Sequence, residues 1–229
     1  LNIEEYTNCF AKYASEYDGV VHINISSEFS SCYQNACLAA EEFDNVRVVD
    51  SRNLSTGQGL VVLKACELAK TCNDLDALYA QLVEFTGKVE ASFLLDQLKY
   101  MVKGGRCSSV VALGANLLNL KPCIEVKGGK MSVVKKYRGN YAKCLANYVK
   151  DRLNEREDLD HSTLFITCTP ISDDCYKTVT DTVACAGYEC NFAFERKHFH
   201  YIHSKILKVK NMVCLTDWHC WILHRKFRE

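Results

Sequence analysis

The stretch VVHINISS, residues 20–27, determines the predicted fold. Four of its first six residues are β-branched, which predicts a buried strand, and that strand ends directly in two serines. Val46–Asp50 is a second run of the same type. Apolar residues at helical spacing flank the two runs, at 3–16, 33–43 and 59–70. Strands that alternate with helices indicate an α/β domain, in which helices cover both faces of a parallel sheet.

The pattern changes after Gly87. A strand is predicted over 89–95, and Gly128-Gly129 between two short apolar runs indicates a hairpin. Further predicted elements are a helix capped by Asp74, a short helix over 96–102, a helix from Ser108, helices over 139–156 and 172–186, and strands over 164–168 and 188–194. We therefore predict an α/β domain over residues 1–88 and a second, α+β domain over residues 89–229.

Composition excludes several classes of protein. Lys and Arg total 28, as do Asp and Glu, so the chain lacks the unbalanced positive charge of a nucleic-acid-binding protein. No apolar run approaches 18 residues, which rules out a membrane-spanning helix. The 14 cysteines include no C-x-x-C pair, and several, such as Cys37, Cys66 and Cys144, lie in apolar segments. We expect reduced core thiols in a cytoplasmic protein.

The end of the first predicted strand is the most informative candidate site. Ser26 and Ser27 follow the strand directly, and a helix begins a few residues after Ser30. In open α/β sheets, ligands bind outside the carboxyl ends of strands, and a helix start adds unpaired N–H groups. Hydroxyls and amides at this place suit a small anion such as a carboxylate. The alternative is that these serines only cap the helix.

A second strand end of the same type is expected to lie beside the first. Asp50–Gly59 carries Ser55, Thr56 and Gln58, and its glycines suit a loop that a ligand approaches closely. An ordinary turn between strand and helix is the alternative.

Basic residues occur at three further predicted loops: Arg106, Lys121 and Arg138. Each suits a carboxylate or phosphate, although each also suits an ordinary solvated surface. The chain contains neither a nucleotide-binding glycine motif nor a G-x-S-x-G nucleophile motif.

The C-terminal region is rich in possible metal ligands, but their spacing matches no known zinc motif. They are Cys190, His198, His200, His203, Cys214, His219, Cys220 and His224. We therefore predict no metal site.

Five segments, in order, resemble motifs of the DegV family of bacterial fatty-acid-binding proteins. They are ISSEFSSCYQNA at 25–36, DSRNLSTGQGL at 50–60, FLLDQLKYMVKGGR at 93–106, LLNLKP at 117–122 and the Arg-Gly step at 138–139. The resemblance runs from residue 1 to about residue 194 and fades beyond it.

The resemblance implies a two-domain carrier that holds one long-chain fatty acid between its domains, with no cofactor and no catalysis. Ser26 or Ser27 would bind the carboxylate, and the tail would enter an apolar tunnel. The partner would be a fatty-acid kinase of phospholipid metabolism, which converts the bound acid to an acyl-phosphate. Residues implied near the head group or facing the kinase are Ser30, Ser55, Thr56, Gln58, Arg106, Lys121 and Arg138.

The chain departs from the family pattern at both ends. It begins after the family's first strand and its T-S-Q-P-S motif, so we expect the N-terminal portion of the fold to be missing. The family's final H-x-G-P motif and apolar strand are not recognisable, and His203 is the nearest remnant. A frameshift before the run at 216–225 would explain the second departure.

Two other functions remain as alternatives. One is an acyl or phosphoryl ester hydrolase of similar layered fold, for which Ser27 and His203 are the only nucleophile and base that we can name. The other is a lipid-responsive regulatory binding protein.

Overall fold

The computed structural model describes residues 1–96, 98–108, 120–154, 156–160, 164–166, 172–185, 208–209 and 212–216. Its elements are α1 (Ile3–Ala14), β1 (Gly19–Asn24), α2 (Cys32–Ala40), β2 (Val46–Asp50), α3 (Ser55–Leu68), α4 (Leu75–Thr86), β3 (Ala91–Leu94), α5 (Lys99–Gly104), β4 (Leu120–Lys127), β5 (Lys130–Arg138), α6 (Tyr141–Leu153), α7 (Asp173–Cys185), β6 (Lys208–Val209) and β7 (Met212–Thr216). The chain forms two compact units. The first contains Leu1–Ala91, Lys127–Lys130 and the strands β6 and β7, and the second contains most of the rest.

The first unit is built on a sheet of strand order β2-β1-β7-β6 in the described part of the chain. β1 is parallel to both β2 and β7, with Ile23 opposite Val49 on one side and Thr216 on the other. The carboxyl ends of these three strands therefore meet at one edge of the sheet, which we call the carboxyl edge.

Helices cover both faces of this sheet. The side chains of β1 point alternately to the two faces, so each face carries apolar side chains that a helix buries. Val20 packs with Tyr6 and Phe10 of α1 on one face. Val21 and Ile23 pack against α3 and α4 on the other face. The predicted α/β domain with a parallel sheet is confirmed.

Local capping fixes the starts of two helices. Asn2 and Glu5 form a reciprocal capping box at the start of α1. Asp74 caps α4 as predicted, since its Oδ1 accepts a hydrogen bond from the Ala77 amide at 2.7 Å.

The start of α3 was predicted wrongly. The helix begins at Ser55, four residues before the predicted start at Gly59, so the expected glycine loop is its first turn. Glycine is required at position 57 because the side chain of Asn53 fills the adjacent space: a Cβ at Gly57 would lie 2.1 Å from Asn53 Oδ1.

The division of the chain also differs from the predicted boundary. The predicted second domain, 89–229, included the segment of β7, but β7 pairs with β1 in the first unit. No strand was predicted over Met212–Thr216, although the structure forms β7 there. Its partner lies almost 200 residues earlier, so no local pattern reveals the pairing.

The second unit contains the sheet β3-β4-β5 and the helices α6 and α7. Gly128 and Gly129 have φ of +59° and +83°, which confirms the predicted hairpin turn between β4 and β5. The helices α6 and α7 pack together around buried side chains that include Leu145 and Val179.

Three predicted elements of this half are not matched by described structure. Residues 164–166 form no strand, and the rest of the predicted strand over 164–168 lies outside the described residues. Most of the helix predicted from Ser108 and the whole strand predicted over 188–194 also lie outside them. Across the described ranges, no helix has the length and apolar character needed to cross a bilayer.

Candidate functional site

Ser26 lies at the carboxyl edge, two residues after β1 ends, and is fully buried. Its hydroxyl donates a hydrogen bond to the Gly129 carbonyl at 2.9 Å and accepts one from the Glu28 amide at 3.3 Å. The Ser26 amide donates to the Asn53 carbonyl at 2.9 Å, which joins the segments that follow β1 and β2. The predicted meeting of the two strand ends is therefore observed.

Ser27 is half-buried and Ser30 contributes to the start of α2. The Ser27 amide donates to Asp50 Oδ1 at 3.3 Å, so this serine lies directly beside the end of β2. Ser30 Oγ accepts from the Cys32 amide at 3.2 Å, which satisfies the first amide of α2. The N-cap residue of α2 is Ser31, whose side chain makes no capping hydrogen bond, so Ser30 supports the helix start from one residue earlier.

Arg52 is a feature of the site that the sequence analysis did not single out. Its guanidinium Nη2 donates to the Gly128 carbonyl, and its Nη1 lies 3.6 Å from Asp50 Oδ2. The backbone of Arg52 has φ of +52°, which is unusual for a residue with a side chain. Asp50 Oδ1 holds this conformation by accepting the Arg52 amide at 2.8 Å. The signal was available, because Arg52 follows β2 as Ser26 follows β1.

The first turn of α3 brings Ser55, Thr56 and Gln58 to the same edge. Ser55 is exposed, with φ of +49°, and Thr56 is half-buried. Gln58 is only 2% exposed, and its Nε2 donates to the Ile23 carbonyl at 2.9 Å. The Oε1 of Gln58 has no hydrogen-bond partner among the described residues.

The turn of the β4–β5 hairpin belongs to the first unit and lies against Ser26 and Arg52. Lys130, which follows the turn, forms an ion pair with Glu28 at 3.4 Å. The hairpin was predicted, but its contact with the serines was not.

The three predicted basic residues lie in the second unit, in different settings. Lys121 lies in β4 and not in the predicted loop, because this segment pairs within the sheet β3-β4-β5. Its Nζ forms an ion pair with Asp96 Oδ1 at 2.5 Å, so its charge is compensated locally. Arg106 is exposed, and its Nη1 donates to the Gly104 carbonyl at 2.6 Å. Arg138 is exposed at the end of β5. Among the described residues of this unit, Arg106 and Arg138 therefore both present an exposed guanidinium group.

The remaining predictions concern residues outside the described ranges or cysteine side chains. His203 and most of the C-terminal histidines and cysteines lie outside them. In the part of the chain that is described, no cluster of three metal-ligating side chains occurs. Cys37 and Cys144 are free thiols, and Cys144 is buried in the second unit's core. Burial raises the pKa of the Cys37 thiol, so the thiolate is disfavoured.

Comparison with known proteins identifies close relatives in sequence and structure. A DegV domain-containing protein of Clostridium acetobutylicum is 35% identical over 159 residues, which is 68% of this chain and 57% of the relative. A fatty-acid-binding DegV family protein from Streptococcus agalactiae has a TM-score of 0.67 at 25% identity, over 83% of this chain and 68% of its own. A stearic-acid-binding protein from Eubacterium ventriosum has a TM-score of 0.71 at 20% identity, with the same coverage of 83% and 68%.

The chain spans about two fifths to three fifths of the length of the curated relatives that it matches. The family model described as "Uncharacterised protein, DegV family" matches residues 1–186, which include both strand ends, the hairpin and α7. The chain therefore belongs to the DegV family.

Proposed function

We propose that this protein binds a long-chain fatty acid and holds its carboxylate at the carboxyl edge through the hydroxyls of Ser26 and Ser27. The observation that carries the proposal is the convergence of these two serines with the end of β2. Solved relatives of the same fold bind fatty acids. Hydroxyl donors at a strand end suit a carboxylate, because each hydroxyl donates a hydrogen bond to one of its oxygens.

The affinity comes mainly from the acyl tail. Burial of an acyl chain contributes about 0.8 kcal/mol per methylene, so a chain of ordinary length supplies enough free energy for tight binding. The serines then fix the position of the head group.

The proposed role is that of a carrier which presents the bound acid to a fatty-acid kinase. In that reaction a carboxylate oxygen attacks the terminal phosphorus of ATP, and acyl-phosphate and ADP are formed. Arg106 and Arg138 are exposed, and an exposed guanidinium suits contact with a phosphate or with an acidic partner surface. We assign these two arginines to the surface that faces the kinase.

Titration of the purified chain with oleate tests the binding site. We expect Ser27→Ala to weaken binding about tenfold, since a hydrogen bond to a charged group contributes about 1.5 kcal/mol or more. Ser15→Ala is the matched control, because Ser15 is an exposed serine at the end of α1 and precedes the amino end of β1, whereas the carboxyl edge follows the other end of that strand. Ser15→Ala should bind oleate as the unmodified chain does.

The same variants test the carrier role when a purified fatty-acid kinase and ATP are added. Acyl-phosphate should form with the unmodified chain and with Ser15→Ala, and at a reduced rate with Ser27→Ala at limiting oleate. Equal binding by all three chains contradicts the assigned site, and binding without acyl-phosphate formation contradicts the carrier role alone.

A further inference from the structure

Two donors at the carboxyl edge are both engaged by one hairpin turn. The Ser26 hydroxyl donates to the Gly129 carbonyl at 2.9 Å, and the Arg52 guanidinium donates to the carbonyl of the preceding residue, Gly128. A hydroxyl and a guanidinium are the donors that recognise a carboxylate. Here both donors are instead used by the carbonyl oxygens of two neighbouring residues.

The backbone of the turn packs directly against these two donors. Gly129 is buried with φ of +83°, and a Cβ there would lie 2.6 Å from Ser26 Oγ and 3.1 Å from Arg52 Cζ. Only glycine allows this approach. Gly128 has a similar left-handed φ of +59°, but a Cβ there would meet nothing within 4 Å.

Arg52 is held in place from its own side. Asp50 Oδ1 accepts the amides of Arg52 and Ser27, at 2.8 Å and 3.3 Å. This carboxylate keeps Arg52 in its left-handed conformation, which an arginine does not adopt without such support. Asp50 thus holds the backbone from which the Arg52 side chain extends, and its Oδ2 also lies 3.6 Å from the guanidinium.

We infer that Ser26 and Arg52 form the head-group site for the fatty-acid carboxylate, and that the Gly128–Gly129 turn occupies this site until the ligand displaces it. This inference rests on the proposed function and adds Arg52 and the turn to it. Ser26 has one hydroxyl hydrogen, so it cannot serve the Gly129 carbonyl and a carboxylate together. The carboxylate is the stronger acceptor because it is charged. Loss of the turn's contacts should therefore tighten fatty-acid binding.

Gly129→Ala and Gly128→Ala provide a matched pair, because both place alanine at a left-handed φ and only the first meets Ser26 and Arg52. In an oleate titration, Gly129→Ala should bind about three- to tenfold more tightly than Gly128→Ala, because it releases weak hydrogen bonds to neutral acceptors. Arg52→Gln should bind about tenfold more weakly. Arg47→Gln is its control, since Arg47 pairs with Asp76 on the surface.

Hydrogen–deuterium exchange of the unmodified chain tests the displacement without any substitution. Amides of residues 127–130 should exchange faster when oleate is added, whereas a turn that closes over the ligand would exchange more slowly.

The outcomes separate the two proposals. If the unmodified chain binds oleate but Gly129→Ala binds no more tightly than Gly128→Ala, and exchange of the turn is unchanged or slower, the displacement is wrong and the proposed function stands. If circular dichroism shows that Gly129→Ala does not fold, the other two measurements test the displacement. Slower or unchanged exchange of residues 127–130 on addition of oleate, or unchanged oleate affinity of Arg52→Gln, would then contradict it. If the unmodified chain does not bind oleate, both proposals are wrong.

Discussion

Gly57 lies in the first turn of α3 with its Cα against the side chain of Asn53. Asn53 is 1% exposed, its Nδ2 donates to the Val89 carbonyl at 3.2 Å, and its Oδ1 accepts the Leu54 amide at 3.1 Å. The asparagine therefore cannot move aside without losing both hydrogen bonds. This arrangement fixes the start of α3, and with it the position of Gln58.

We expect Gly57→Ala to destabilise the chain by about 2 kcal/mol, although alanine in a helix interior is normally favoured over glycine by about 1 kcal/mol. The Cβ of alanine would lie 2.1 Å from Asn53 Oδ1, so Asn53 must move. The free-energy cost of moving it exceeds the gain in helix propensity. Urea unfolding measures the difference. Gly87→Ala is the control, because its Cβ would lie at an ordinary 3.5 Å from its nearest neighbour. If Gly57→Ala is as stable as the unmodified chain, the tight contact with Asn53 is not real.

Sequence patterns located Ser26 and Ser27 because a strand end is a local signal. They could not identify the partner of Ser26, since Gly129 lies 103 residues further along the chain. Arg52 also follows a strand end, and that local signal was overlooked; its contacts, however, depend on a left-handed backbone that the sequence pattern does not show. Residue types at strand ends were predictable, whereas their pairing required tertiary structure.

At the level of elements, α6 is tied to β3 through one tyrosine. The Tyr148 hydroxyl donates to the Ser92 carbonyl at 2.9 Å and also lies 2.8 Å from Ser92 Oγ. Burial is the main cause that raises the pKa of Tyr148 to about 12, because it disfavours the charged phenolate. The folded chain thus binds this proton more tightly than the unfolded chain does.

The raised pKa of Tyr148 predicts a loss of stability in alkali. The contribution of Tyr148 is fully present below pH 10, the ordinary tyrosine pKa, and is lost as the pH rises to about 12. Tyr148→Phe should lower the free energy of unfolding at neutral pH by about 1 kcal/mol, because a hydrogen bond is lost. Between pH 10 and 12, the free energy of unfolding of this variant should decrease less steeply than that of the unmodified chain. Urea unfolding at several pH values checks this, and parallel curves for the two chains would show that Tyr148 does not carry the effect.

The helices and strands of the first unit were predictable because each has a strong local pattern. For example, successive side chains of β1 enter the hydrophobic clusters on the two faces of the sheet in turn, and Asp74 caps α4. The start of α3 was not predictable, because the glycines of its first turn suggested a loop, whereas Gly57 is required there by the buried side chain of Asn53. Local propensity was overridden there by tertiary packing.

At the level of the whole molecule, the sheet of the first unit joins distant parts of the sequence. β7 and the hairpin residues Lys127–Lys130 both belong with residues 1–91, although the sequence places them in the second half. The sequence therefore predicted the two types of domain but not which distant segments complete the first. The carboxyl edge draws on three such segments, those after β1, after β2 and at the hairpin turn.

The central claim is that this edge recognises the charged end of a fatty acid. Isothermal titration calorimetry with oleate and with methyl oleate tests it most directly, because the two ligands share a tail and differ in the anionic head group. We expect oleate to bind at least tenfold more tightly than its methyl ester, as a charged acceptor forms stronger hydrogen bonds than a neutral one. Equal affinities for the two, or no binding of oleate, would contradict the account.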